Sequence, residues 1–136
     1  MNRNGNSLSE NWLPTLSVGI GGFIGAIVRY QLTQVMAQFQ WAALATWAIN
    51  VSGSFVLSWL YTMTLERYPI HPYLRLGIGT GMLGAYTTYS TFAVETWSLW
   101  AQHHPFLTVT YVVASIMGSL GAAIVGYRVA FRHGLG

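Results

Sequence analysis

No cysteine occurs among the 136 residues, so disulfides and thiolate metal sites are excluded and the redox compartment is left open. Charge is nearly as scarce. Charged residues make up 7% of the chain against 53% hydrophobic ones, too few to cover the surface of a soluble domain of this size. A membrane protein is the expectation. Lysine is absent, and the six arginines, Arg3, Arg29, Arg67, Arg75, Arg128 and Arg132, form no cluster, which leaves no footprint for nucleic acid. No Walker loop, metal motif or nucleophile elbow is present. His71, His103, His104 and His133 all fall at or beyond the ends of apolar runs, where they cannot ligate a haem inside a bilayer. Nothing in the chain points to an enzyme or an energised pump.

What is present is apolar length. Residues 1–12 are polar and Asn-rich and read as a short cytoplasmic tail, since they lack a basic start and the apolar run behind them is too long for a signal peptide. Pro14 suits the first turn of a helix. Four spans are expected at about 14–38, 41–65, 72–100 and 105–131, each near the roughly 20 residues that a bilayer requires. Glu66, Arg67, Tyr68 and Pro69 stop the second, and His103, His104 and Pro105 turn the chain into the fourth. The first carries Gly21, Gly22, Gly25 and Ala26, small residues at a spacing that lets another backbone approach. With an even number of spans, five arginines share one side and Arg29 lies near the other, which places both ends in the cytoplasm. Trp12, Trp41, Trp97, Trp100, Tyr68 and Tyr73 fall near span ends as interface anchors.

The stretch from Gly84 to Phe92 has the wrong composition for an ordinary membrane helix. Gly77, Gly79, Gly81 and Gly84 precede Thr87, Thr88, Ser90 and Thr91, a run of glycines and hydroxyls that favours a break. Broken backbone at membrane depth needs protein or water around it, and its freed carbonyls, amides and hydroxyls can replace the hydration shell of an ion. The alternative is close helix packing, in which Gly and Thr are common.

Two polar stripes flank this stretch. Thr46, Asn50, Ser54 and Ser58 recur every four residues on the second span, and Tyr111, Ser115 and Ser119 do so on the fourth. They read either as the wall of a narrow polar path or as hydroxyls bonding their own helix. Asn50 needs a partner across helices or a permeant species, because a buried amide left unpaired is costly. Glu95 lies one turn past the central stretch, where a carboxylate costs about 2.5–3.5 kcal/mol near mid-membrane, unless it is neutral and hydrogen-bonded or close to the interface. Arg29 either snorkels to an interface or attracts an anion at the mouth of a path. Tyr89 and Phe92, three apart on one face, are core packing or a pair of ring edges facing a small anion.

Taken together these segments resemble the CrcB/Fluc fluoride channel family over nearly the whole chain. Residues 21–30, GGFIGAIVRY, are similar to the family's first-helix signature, residues 46–55 to its asparagine motif, and residues 84–92, GAYTTYSTF, to its third-helix break. The resemblance implies an all-α membrane fold whose third helix is broken near its middle. It implies a dual-topology antiparallel homodimer in a bacterial inner membrane, conducting fluoride passively, with a structural Na+ at the two-fold axis. On that basis the carbonyls of Gly84 and Thr87 hold the sodium. Asn50, Tyr89 and Phe92 line the fluoride path, with Thr46, Thr88, Ser90, Thr91, Glu95, Tyr111, Ser115 and Ser119 on or beside its polar track and Arg29 at the vestibule. Tyr89 stands where the family usually has phenylalanine, and Ala85 where a second glycine is common. Two competitors are a proton-coupled small multidrug transporter using Glu95 and a non-conducting assembly subunit. Transporters of that kind place their acid in the first helix, which here carries Arg29 and no carboxylate.

Overall fold

The computed structural model describes residues 7–38, 42–66 and 68–132, with side chains from Trp12 onward. Arg3, Trp41, Arg67 and His133, which carry part of the charge and interface pattern, lie outside the described residues, as does the start of the polar leader. Two long helices, α1 (Ser7–Ala37) and α2 (Ala42–Glu66), are followed by a segmented stretch. It comprises α3 (Pro72–Leu76), a π-helical segment Gly77–Leu83, α4 (Gly84–Tyr86) and α5 (Tyr89–Ala101); α6 (Pro105–Arg132) completes the chain. No strand occurs among the described residues.

Three stretches, Trp12–Ala37, Ala42–Glu66 and Pro105–Arg132, are 26, 25 and 28 residues long with mean hydropathies of 1.3, 1.3 and 1.8. Each is long and apolar enough to cross a bilayer. The stretch expected as a broken third span is segmented: residues 72–101 are cut into pieces, and within the 84–92 stretch the cut falls at Thr87 and Thr88, while Gly84, with φ −65° and ψ −35°, is helical. One correction concerns Pro14. It lies inside α1 instead of in its first turn, because the helix already runs from Ser7 and takes in residues 7–12 of the polar leader. Proline there costs one amide bond, while Ser17 Oγ donates back to the Pro14 carbonyl at 2.8 Å.

Backbone proximity organises the packing. The glycine face expected of α1 does contact another backbone: a Cβ on Gly21 would collide with the Gly77 carbonyl, and one on Gly25 with the Met82 carbonyl. From the other side, a Cβ on Gly81 would stand 2.6 Å from the Val18 carbonyl oxygen. Such contact is open only to residues without a side chain. The partner α1 meets is the π-helical segment, a widened turn of a kind that concentrates near functional sites. On the far side, α2 lies along α6. Gly126 admits the Phe55 carbonyl, and Trp47 Nε1 donates to the Ala114 carbonyl at 3.1 Å.

Large apolar side chains face outward. Phe23, Tyr89, Trp97 and Phe106 are 70–82% exposed, whereas Thr46, Thr62, Thr64, Thr88, Thr108 and Ser115 are buried. Polar inside and apolar outside is the arrangement for a lipid solvent, in which interior hydroxyls bond across or along helices.

Candidate ion pathway

The break is made by side chains that take over backbone hydrogen bonds. Thr87, with φ −73° and ψ 155°, leaves the helical region, and Thr88 is extended at φ −146°, ψ 123°. Thr87 still closes the turn behind it, its amide and its Oγ1 both donating to the Leu83 carbonyl at 3.0 Å. The next amide is diverted. Thr88 N donates to Asn50 Oδ1 at 2.8 Å, and Asn50 Nδ2 donates to the Thr88 carbonyl at 2.9 Å. One carboxamide from α2 therefore satisfies both backbone groups of the residue at the break. Thr88 Oγ1 then caps α5 by accepting from Thr91 N at 3.2 Å, the bond that a helix start requires. The same oxygen lies 3.0 Å from Thr91 Oγ1 and 3.3 Å from Ser90 Oγ.

Two carbonyls are released by these diversions. The Gly84 carbonyl loses the Thr88 amide to Asn50, and the Thr87 carbonyl loses the Thr91 amide to Thr88 Oγ1. A Cβ on Gly84 would meet nothing within 4 Å, so that position faces open space. Freed carbonyl oxygens on broken helices are the donor type that holds a sodium ion, so the chemistry of this pair fits such an ion.

A groove of about 610 Å³ opens along the break, lined by Asn50, Ser54, Thr87, Thr88, Tyr89, Phe92, Ser115 and Ser119 together with Gly53, Leu57, Val112 and Ile116. Ser115 is 7% exposed, and its Oγ has no hydrogen-bond partner among the described residues. A buried hydroxyl left unpaired costs about 1–3 kcal/mol, and is understood when the group serves a passing ligand. A second groove, of about 480 Å³, is lined by Thr96, Trp97, Trp100 and Thr108 as well as Tyr89 and Phe92. The two grooves meet at the aromatic pair. Tyr89 and Phe92 have ring centroids 6.0 Å apart, and Phe92 lies 5.4 Å from the ring of Tyr111.

Glu95 belongs to a separate cluster. Its Oε1 accepts from Thr46 Oγ1 at 2.9 Å and its Oε2 from Tyr111 Oη at 2.6 Å, joining α2, α5 and α6 through one half-buried carboxyl group. It lines neither groove.

Of the residues singled out in the sequence, Asn50, Thr87, Thr88, Tyr89, Phe92, Ser115 and Ser119 come together on the first groove. Ser90 and Thr91 gather at the α5 cap, and Thr46, Glu95 and Tyr111 form the hydrogen-bonded triad beside it. Arg29 stays apart from both grooves, on the α1 face that continues from Gly21 and Gly25. Gly53 was not anticipated. A Cβ there would collide with Thr87 Cγ2 and press on the Tyr86 ring at 3.3 Å, so this glycine lets α2 reach the break; a glycine inside the asparagine stripe was the available signal. Ser52 Oγ and Tyr86 Oη, 2.9 Å apart, form a further tie that spacing alone does not reveal.

Residues 16–127 match the family model described as CrcB-like protein, Camphor Resistance (CrcB). Among similar proteins, a fluoride-specific ion channel FluC 1 of Moorella thermoacetica is 44% identical over 77% of this chain and 76% of its own length. FluC 1 of Desulfitobacterium hafniense is 38% identical over 78% of this chain and 93% of its own. FluC 2 of Geobacillus kaustophilus is 42% identical over 85% and 91%. A helix cut where an asparagine clamps it, set within a match of this extent, places the chain in the CrcB-like protein family.

Proposed function

We infer that this protein is a passive, fluoride-selective channel of a bacterial inner membrane, lowering cytoplasmic fluoride and hence its toxicity. The observation that carries the reading is the groove at the break, in a chain whose relatives are named fluoride-specific ion channels. Fluoride is small and tightly hydrated, so a pathway must replace its water with donors. The groove offers the unpartnered Ser115 hydroxyl, the hydroxyl of Ser119 and the ring edge of Phe92, whose positive rim suits a small anion. Asn50 acts by holding the Thr88 backbone at the wall.

The transporter reading is not favoured. A carboxylate that carries protons and substrate must reach the pathway, and both oxygens of Glu95 accept hydrogen bonds from Thr46 and Tyr111 away from either groove. The segmented stretch 72–101 acts as a fourth span, and two copies pair antiparallel so that the exposed face bearing Tyr89 is covered and the grooves close into pores. Isologous pairing of a four-span unit encloses a path more readily than one copy can. At the two-fold axis the carbonyls of Gly84 and Thr87 from each copy hold a sodium ion, which supplies fixed positive potential to an anion path. Arg29 acts at the vestibule through its charge.

The test is fluoride efflux from potassium-fluoride-loaded liposomes with valinomycin, beside chloride-loaded controls. Rapid efflux of fluoride alone is expected. Efflux of neither anion, with proton-coupled cation uptake instead, would overturn the reading.

A further inference from the structure

We propose that the cavity between α1, the end of α2 and the start of α3 binds the phosphodiester head of an anionic phospholipid. The cavity has a volume of about 320 Å³ and is lined by Pro14, Tyr61, Pro72, Tyr73, Arg75 and Leu76. It rests on the membrane placement of the helices and is independent of what the protein conducts.

Its depth matches the headgroup boundary. At 1.5 Å per residue, the 25 residues of α2 extend about 38 Å, roughly 8 Å more than a hydrocarbon core of about 30 Å. Each end therefore stands about 4 Å outside the core, and Tyr61, five residues before Glu66, falls just inside its edge. Pro72 and Tyr73, at the start of α3, stand closer to the boundary than the Tyr61 hydroxyl, which reaches inward to Gly79, and tyrosine is at home at that level.

The chemistry is that of an anion site. Arg75 brings a guanidinium that stays charged and whose planar fork fits phosphate oxygens, and the rings of Tyr61 and Tyr73 complete the wall. Among the described residues no carboxylate lines the cavity, and Glu66, on the same helix as Tyr61, is exposed. The tyrosines are fixed before any ligand arrives. A Cβ on Gly79 would stand 2.7 Å from Tyr61 Oη and 2.8 Å from its Cε2, so the ring rests on the backbone of the π-helical segment. Tyr73 packs edge-on against His71 at 4.7 Å, and its amide donates to His71 Nδ1 at 3.3 Å.

Free phosphate would satisfy the same donors, but the exposed apolar side chains on the helices that form the cavity favour a lipid. Leu13 and Leu74, next in sequence to Pro14 and Tyr73, are 53% and 54% exposed, so the same two helices offer acyl chains an apolar surface.

The experiment is native mass spectrometry of the full-length, delipidated protein titrated with phosphatidylglycerol, phosphatidylcholine or inorganic phosphate. Wild type is expected to retain phosphatidylglycerol in preference to phosphatidylcholine, with no competition from inorganic phosphate. Arg75→Gln should lower phosphatidylglycerol affinity about tenfold, the weight of one hydrogen-bonded charge contact. Arg132→Gln should leave it unchanged, and Arg75→Lys, which keeps the charge, should keep most of the preference and serves if the glutamine variant does not fold. Undiminished preference in Arg75→Gln, equal binding of both lipids, or displacement by inorganic phosphate would each overturn the proposal.

Discussion

The molecule interrupts its regular α-helix in two neighbouring places and by opposite means. In Gly77–Leu83 the chain widens into a π-helix but stays a closed ladder, and two of its glycines, Gly77 and Gly81, press against the backbone of α1. At Thr87 and Thr88 the ladder opens, and side chains take over: Asn50 holds both backbone groups of Thr88, and the Thr88 hydroxyl starts the next helix. The first interruption is buried and shaped by the absence of side chains, whereas the second lines a groove and is shaped by polar ones. In a membrane, backbone irregularity is tolerated where something else satisfies it. Here packing secures the first site so that hydrogen bonding can keep the second one open.

The largest expected effect follows from breaking the packed member of this pair. Gly25→Val places a side chain where the Met82 carbonyl lies, and backbone on both sides cannot yield without parting α1 from the π-helical segment. Overpacking costs about 1–3 kcal/mol where side chains can move aside, and more is expected here. The variant should give no monodisperse protein by size-exclusion chromatography. A wild-type elution profile would mean that the contact does not hold the fold.

Asn50→Asp attacks the open member instead. Aspartate keeps an acceptor for the Thr88 amide but loses the donor and sets a carboxylate oxygen against the Thr88 carbonyl. An unpaired buried group costs about 1–3 kcal/mol, so a lowered unfolding temperature is expected, with a folded protein. Fluoride efflux should fall to background, since the groove wall moves and gains negative charge. Efflux at the wild-type rate would remove the clamp from the pathway.

Phe92→Ile separates pathway from fold more cleanly. The ring joins the two grooves and packs 5.4 Å from Tyr111, a contact worth about 0.5–1.5 kcal/mol beyond its area. Thermal stability should drop only slightly while fluoride efflux nearly vanishes. Retained efflux would mean that an apolar side chain suffices at this point and that the ring edge has no role.

The two interruptions were unequally legible in the sequence. Hydroxyls crowded behind Gly84 announced a break, and the spacing of Thr46, Asn50, Ser54 and Ser58 put an amide on the facing stripe. Within that stretch the cut falls at Thr87 and Thr88, because glycine marks where backbone is permitted to bend, while the bend occurs where a partner takes the amide. That partner is 38 residues away and is fixed only by how α2 rotates against the segment. The π-helix left no local signal, since its glycines are equally at home in an α-helix packed closely against a neighbour. Glycine spacing on α1 did foretell a close backbone contact, though not that its partner would be the widened turn. Pro14 misled for a related reason: it suits a first turn, but a helix that already has seven residues before it can forgo one amide bond.

The smallest effect is expected at Glu95, which lies beside the open member without lining it. Thr46 and Tyr111 each donate one hydrogen bond to its carboxyl group, so Glu95 ties α2 and α6 to α5 just beyond the clamp. Glu95→Gln keeps one acceptor oxygen for one of these hydroxyls and turns its amide toward the other, which can rotate and accept. The triad should survive with the same connections, and fluoride efflux should stay within roughly threefold of wild type, a change of about 0.7 kcal/mol in barrier. A proton-coupled carrier would lose all pH-driven transport on the same substitution, because glutamine cannot bind and release a proton. Efflux measured with and without a pH gradient therefore tests whether the carboxyl group acts as a tie or as a carrier: near-wild-type efflux that ignores the gradient assigns it to the scaffold, and abolished, gradient-dependent transport would move it to the centre of the mechanism.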